Sequence, residues 1–235
     1  MGVVQAMSLT HEWNDELAQK VRDEECRVDR YEDALGTYLV KLSGRELNHI
    51  DSQSVNTLLH TISDFERISD HSVNLLESAE EMHQKEIHFS KDAQEELQVL
   101  EDAVQDILNR TTDAFRKGDL HLASKVEPLE AVVNELVRAI KAHHIARLQA
   151  GACTIEYGFV LDDLLTNYER IADHCSNIAV AMIEVSEDRF DTHEYLNHIK
   201  NGESPSFEKR YERYRGRYTF EPGPSGTAAA PEQKK

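Results

Sequence analysis

Four pairs of residues in this sequence have the types and spacing to hold a cation. Glu25 and Asp29, Glu66 and Asp70, and Glu169 and Asp173 are acids four residues apart. Glu130 with Asn134 repeats the spacing with an amide in second place. Residues at i and i+4 are neighbours on one face of a helix. On a helical wheel Glu66 falls inside an apolar arc of Leu59, Ile62, Ser69, Val73 and Leu76, with Asp70 at its rim. Glu25 and Glu32 sit the same way among Val21, Val28, Leu35 and Leu39, with Asp29 at the rim. If the paired helices face each other, Glu25, Asp29, Glu66 and Asp70 converge, and so do Glu130, Glu169 and Asp173.

Carboxylates on such an arc need relief, because two of them about 5 Å apart repel by roughly 3 kcal/mol at an effective dielectric near 20. Arg67 and Arg170, each next to a glutamate, can fold over and pair with it. A raised pKa can keep one proton on the pair. A multivalent cation such as Mg²⁺, Mn²⁺ or iron is the third arrangement, since oxygen-rich clusters suit hard ions. Arginine at i+1 points about 100° away from its neighbour, so Arg67 and Arg170 are expected to face outward.

Other candidates carry less. Glu80-Glu81-Met82-His83 holds one ExxH, whereas carboxylate-bridged di-metal oxidases need two. His60, Asp64 and His71 share a stripe opposite Glu66 that reads as a solvated polar face. His143-His144 near a helix end reads as dipole and capping chemistry. There is no phosphate-cradling glycine loop, no GxSxG and no cysteine paired with a catalytic histidine, so nothing nominates a nucleophile and no enzyme is expected.

These side chains must be positioned by helices, because apolar residues recur at three and four. The expected segments run from about Asp15 to Leu42, from after Asp51-Ser52 to Met82, from Ser90 to Lys117, from Asp119 to Gln149 and from Cys153 to Val185. Asp51-Ser52 is expected to cap the second, and Pro128 to kink the fourth. Long helices with short connections make an antiparallel bundle.

The body repeats itself. Phe65-Glu-Arg-Ile68-Ser-Asp70-His71-Ser-Val-Asn74 matches Tyr168-Glu-Arg-Ile171-Ala-Asp173-His174-Cys-Ser-Asn177 at a spacing of 103, and Glu25 to Asp29 matches Glu130 to Asn134 at 105. Two copies of a three-helix unit follow, spanning 1–89 and 90–185. Of the first unit's opening helix only Val3 to Leu9 stands, and the reading frame is expected to continue upstream into apolar helices.

The chain has 235 residues, 26 basic and 44 acidic, for a formal charge of −18. Residues 186–235 hold nine acids and nine bases, so the whole surplus belongs to the helical body. That surplus argues against nucleic acid and anionic lipid as partners. Three scattered cysteines indicate a reducing, cytoplasmic setting, and no apolar run is long enough to span a membrane. Residues 186–220 read as a partly ordered basic and aromatic extension. In it Tyr211, Tyr214 and Tyr218 recur at three and four, placed to dock on the acidic bundle. Residues 221–235 are rich in Pro, Gly and Ala and read as disordered.

The helix from Leu59 to Asn74 resembles the signature helix of PhoU-type proteins, and Asn167 to Asn177 resembles its second copy. Asp29 to Leu39 and Phe190-Asp-Thr-His-Glu-Tyr195-Leu are more similar still to the PhoU-like cytoplasmic tail of bacterial Na/Pi-cotransporter family proteins. The resemblance covers about residues 3–220. It implies an all-α fold, a PhoU-like antiparallel bundle of two related three-helix repeats. It implies metal ions (iron, zinc, manganese or magnesium) held by Glu25, Asp29, Glu66, Asp70, Glu130, Asn134, Glu169 and Asp173. It further implies a non-catalytic regulator of sodium-dependent phosphate transport at the inner face of the membrane, with the transporter's membrane domain as partner in cis or in trans. Self-association into a homo-oligomer is left open. The alternatives are a free-standing PhoU-type regulator of phosphate uptake, a carboxylate-bridged di-metal enzyme and a plain helical scaffold with solvated acids.

Overall fold

The computed structural model describes residues 2–186 and 205–220. Eight helices occur among them: α1 (Gly2–His11), α2 (Asp15–Ser43), α3 (His49–Gln84), α4 (Lys91–Lys117), α5 (Leu120–Ala123), α6 (Val126–Gln149), α7 (Ile155–Ser186) and α8 (Pro205–Arg217). No strand is present among the described residues. The expectations for 221–235 and for Phe190 to Leu196 lie outside them.

Local chemistry starts and stops these helices. Asn14, Asn48, Ser90 and Asp119 each accept a hydrogen bond from a backbone N–H one turn on, satisfying a donor that the helix start would leave bare. The α3 cap is therefore Asn48, and Asp51 lies in the first turn instead of capping as expected. Gly118 ends α4 at φ 62°, a left-handed conformation that costs glycine little. The fourth expected segment breaks at Ser124–Lys125, before Pro128. Pro128 is the third residue of α6, where no intrahelical acceptor awaits its missing N–H, so it opens a helix and kinks none.

α3 and α7 are the central pair, and they run antiparallel. Gln53 near the start of α3 donates to the Val185 carbonyl at the end of α7 (3.4 Å), and Lys85 just past α3 pairs with Glu156 at the start of α7 (3.3 Å). α1 and α2 pack against α3, while α4 and α6 pack against α7. One apolar cluster passes through both halves, from Val3 and Met7 through Leu75 and Leu76 to Leu164, Tyr168 and Ile178.

α3 buries Thr61, Ile68, Ser72, Leu75, Ala79 and Met82, rotated from the expected arc, of which Leu76 alone is fully buried. Leu59, Ile62, Ser69 and Val73 are only half-buried, and on α2 Leu35 is exposed. The wheel assumed a single neighbour, but α3 is a middle helix and turns its most apolar side toward α7 and α1.

The extension docks as its spacing predicted. Tyr214 and Tyr218 are buried, and the Tyr211 and Tyr218 hydroxyls donate to Glu135 (2.7 Å) and Asp106 (2.8 Å). Arg215 bonds Glu135, Arg217 bonds Asp106, and the Arg110 guanidinium lies 5.3 Å over the Tyr214 ring.

Candidate functional site

Repeat one presents its carboxylates along α2 and α3. Glu66 is half-buried, and its pKa is raised, first by burial and then by the charge of Asp70, to which it is also hydrogen-bonded. Glu32, held by the Ser63 hydroxyl at 3.1 Å, pushes the same way. Glu66 therefore keeps its proton more readily than an isolated acid would. Arg67 works against the rise. It does not face away, as an i+1 position suggested, for its guanidinium swings back to 3.7 Å from Glu66 and 3.9 Å from Asp70. A long flexible stem lets it return although most of the side chain stays exposed. On α2, Glu25 is half-buried beside the Cys26 thiol, whose pKa it raises by hydrogen bonding, and Asp29 is exposed.

Repeat two is arranged otherwise. Glu130 is buried on α6 and accepts a hydrogen bond from the Asn134 amide at 2.5 Å, so the residue replacing an acid serves here as a donor. Glu169 is half-buried, and Asp173 pairs with Arg170 at 3.3 Å, another inward-turned arginine. Among the described residues, no three His, Cys, Asp or Glu side chains are gathered closely enough to hold a metal ion. Each repeat thus offers an α3- or α7-borne carboxylate pair. The partners expected from α2 and α6 do not close on it in this conformation.

Between the two pairs lies a polar seam that helix spacing assigned to solvent. His174 Nδ1 donates to Asp64 (2.8 Å), and Asn177 adds a bond to the same oxygen (3.2 Å). The His71 Nδ1 donates to Asn167 Oδ1 (2.8 Å), and the two imidazoles stand 5.6 Å apart. At the repeat spacing of 103, Asp64 corresponds to Asn167 and His71 to His174, so the seam has a near-twofold axis. Burial lowers the His71 pKa, and the nearby His174 and Arg170 reinforce this, against Asn167 and Asp70. Asp64 and His71 left the solvent because α3, a middle helix, has a neighbour on that side too; only His60 of the three is exposed.

Three buried acids of α4 and α6, Glu96, Glu101 and Glu127, were missed. Glu101 accepts from the wholly buried Tyr168 hydroxyl and pairs with His11, both at 2.8 Å, which ties α1 and α7 to α4. Glu96 takes two bonds from Arg147 (3.0 and 2.9 Å) and one from His143 (2.7 Å). His143 therefore hydrogen-bonds a carboxylate of α4 instead of capping its own helix. Glu127 accepts from Ser176. The available signal was the one used for Glu66: Glu101 lies in the stripe Leu97, Leu100, Val104, Leu108.

Two helical repeats facing each other across duplicated Glu-Arg-Ile-x-Asp-His helices define the class. The PhoU domain model matches residues 3–79 and 97–182, one stretch in each repeat, and the chain belongs to the PhoU domain family. It is 25% identical over 194 residues to the phosphate-specific transport system accessory protein PhoU homolog 1 of Thermotoga maritima, covering 80% of this chain and 81% of that one. The crystal structure of PhoU from Pseudomonas aeruginosa superposes with a TM-score of 0.72 at 22% identity, over 80% of this chain and 89% of that one. The phosphate transport system regulatory protein PhoU from Streptococcus pneumoniae gives 0.71 at 15%, over 81% and 88%. At those identities the two structures establish the all-α PhoU-like bundle. No helix among the described residues is long and apolar enough to cross a membrane.

Proposed function

We propose that this chain is a PhoU-type accessory regulator of phosphate transport, a non-catalytic scaffold that docks on a transporter at the cytoplasmic face of the membrane. The observation that carries the reading is the duplicated motif helix, α3 against α7, lying in two stretches that both match the PhoU domain. The name of the Thermotoga maritima relative, a phosphate-specific transport system accessory protein, supports the same assignment. The finer resemblance, to the tail of a Na/Pi cotransporter, rests on the residues Asp29 to Leu39 of α2.

In this reading Glu25, Asp29, Glu66 and Asp70 would hold a metal ion in repeat one, and Glu130, Asn134, Glu169 and Asp173 in repeat two. The raised pKa of Glu66 beside Asp70 supports it, because a cation can take the place of the proton that burial and Asp70 favour on Glu66. A bound ion would neutralise the acidic face and alter how it meets a partner. Uptake of radiolabelled phosphate in cells with and without the chain tests the regulatory role. Unchanged uptake in both phosphate-rich and phosphate-poor medium overturns it. Metal content of the purified chain tests the ion separately.

A further inference from the structure

The seam between the repeats brings two imidazoles together. α3 and α7 run antiparallel, with Asp64 across from His174 and His71 across from Asn167. Asp64 and His71 are two helical turns apart, so the two pairs lie about 10 Å apart along the helices at a rise of roughly 1.5 Å per residue. Yet the ring centres of His71 and His174 stand only 5.6 Å apart. Side chains on a helix lean toward its N-terminus, and on antiparallel helices the two leans are opposed. His71 leans back toward the turn of Arg67 and His174 toward that of Arg170, so the rings converge on the near-twofold axis.

Each ring is held by one nitrogen. His174 Nδ1 is fixed on the Asp64 carboxylate and His71 Nδ1 on the Asn167 side-chain oxygen, both at 2.8 Å. An oxygen acceptor at Nδ1 places the ring proton there and leaves the Nε2 lone pair free. Neither Nε2 has a hydrogen-bond partner among the described residues, and both rings are only half-buried. Metal-binding histidines are oriented in this way, by an oxygen on the nitrogen that does not bind. With metal–nitrogen bonds of about 2.1 Å and ring centres roughly 1.1 Å beyond the nitrogens, two imidazoles on one tetrahedral ion have centres about 5.2 Å apart. The observed separation exceeds that by about 0.4 Å, within reach of small side-chain rotations. The flanking cations are answered elsewhere, Arg67 by Glu66 and Asp70 and Arg170 by Asp173.

We propose that His71 and His174 bind one divalent cation of the zinc, nickel or copper class through their Nε2 atoms, with waters completing its coordination. Neutral imidazole suits these ions, whereas Mg²⁺ and Ca²⁺ prefer oxygen. The site therefore differs in chemistry from the ExxxD pairs, whose donors are carboxylates. Asp64 is its outer carboxylate, and Asn167 is the neutral counterpart. One ligand comes from each repeat, so the ion ties α3 to α7. Two protein ligands fall short of a closed structural zinc site, and binding is reversible. The proposal stands on the seam geometry and does not depend on the transport role.

Titration of the full chain with Cu²⁺, followed by electron paramagnetic resonance, counts the imidazole nitrogens on the ion, and two are expected. His71→Gln and His174→Gln should each remove one nitrogen and weaken binding by about tenfold or more. Asp64→Asn keeps both ligands, so it should keep both nitrogens and weaken binding by about tenfold. Glu66→Gln and Glu169→Gln should leave the nitrogen signal unchanged. Circular dichroism establishes that each variant is folded. A Zn²⁺ titration of the wild-type chain, read by ¹⁵N NMR, needs no variant: the Nε2 resonances of His71 and His174 should move together, at lower Zn²⁺ than those of any other histidine. A copper signal without imidazole nitrogens, one that survives both histidine variants, or Nε2 resonances that stay still overturns the proposal. A nitrogen signal that grows only as sedimentation shows a dimer also overturns it, in favour of an ion held between two copies.

Discussion

The two repeats share a motif and a topology but not a state of burial. α6, with 24 residues, buries ten side chains, whereas α2, with 29, buries only Ala18, Val21 and Leu39. The difference follows the packing among the described residues: α4 covers α6 and α7, and α8 clamps the outside of α6, whereas α2 packs on α1 and α3. Repeat two is thus the more deeply buried copy.

The sharpest way to break this comparison is to cut equal volume from both halves. Leu165 is fully buried on α7, and Leu165→Ala should cost about 2–5 kcal/mol in urea unfolding through lost transfer energy and the cavity left behind. Leu35 lies nearly half exposed on α2, and Leu35→Ala should cost less than about 0.5 kcal/mol. Similar losses at both sites would mean that repeat one is as well packed as repeat two.

Next in size is the clamp on repeat two. Removing residues 205–235 exposes the surface under Tyr214 and Tyr218 and frees Glu135 and Asp106 from their arginines. The apolar surface that the two tyrosines cover would return to water, so the melting temperature should fall. An unchanged melting temperature would assign α8 to a partner and not to the bundle.

The metal proposal turns the comparison into a ranking. Repeat one offers Glu25, Asp29, Glu66 and Asp70, whereas repeat two has Asn134 for Asp29 and Val137 for Glu32. An amide is neutral, and Asn134 is already donating to Glu130, so repeat two has less charge with which to attract an ion. In a calorimetric metal titration the tighter event should weaken about tenfold in Glu66→Gln and persist in Glu169→Gln, a difference of about 1.4 kcal/mol. The opposite pattern would reverse the ranking.

Much of this arrangement could be read before any coordinates. The helices, the repeat and the tyrosine docking follow from periodicity, because period and spacing are local properties. What escaped depends on how many neighbours a helix has. Asp64 and His71 look solvated when α3 is given one partner and become seam residues when α7 is added. Leu35 looks buried on the wheel and is nearly half exposed in the fold. The carboxylate pairs were visible, and Arg67 was misdirected because its reach exceeds the angle between adjacent helix positions.

The smallest expected effect tests the seam where the repeats meet. Its two histidines face unlike partners, a carboxylate at Asp64 for His174 and a neutral amide at Asn167 for His71. The His71 pKa is lowered from 6.5, chiefly by burial, with His174 and Arg170 adding to the fall and Asn167 and Asp70 opposing it. A histidine with a lowered folded pKa binds fewer protons in the native state than in the unfolded one. Its contribution therefore holds above the unfolded value near 6.5 and is lost as pH falls through that value toward the folded pKa. His11 has the opposite sign: Glu101 raises its pKa by hydrogen bonding, so its contribution is complete below 6.5 and is lost as pH rises through the raised folded pKa. Because His11 is common to both proteins, comparison of wild type with Asn167→Asp isolates the seam. The new carboxylate gives His71 the partner that His174 already has and should raise its pKa, read by NMR. The variant should then lose less melting temperature than the wild type between about pH 7.5 and 5.5. Parallel melting curves, with no movement of the His71 resonance, would show that Asn167 sets the geometry of the seam and not its charge.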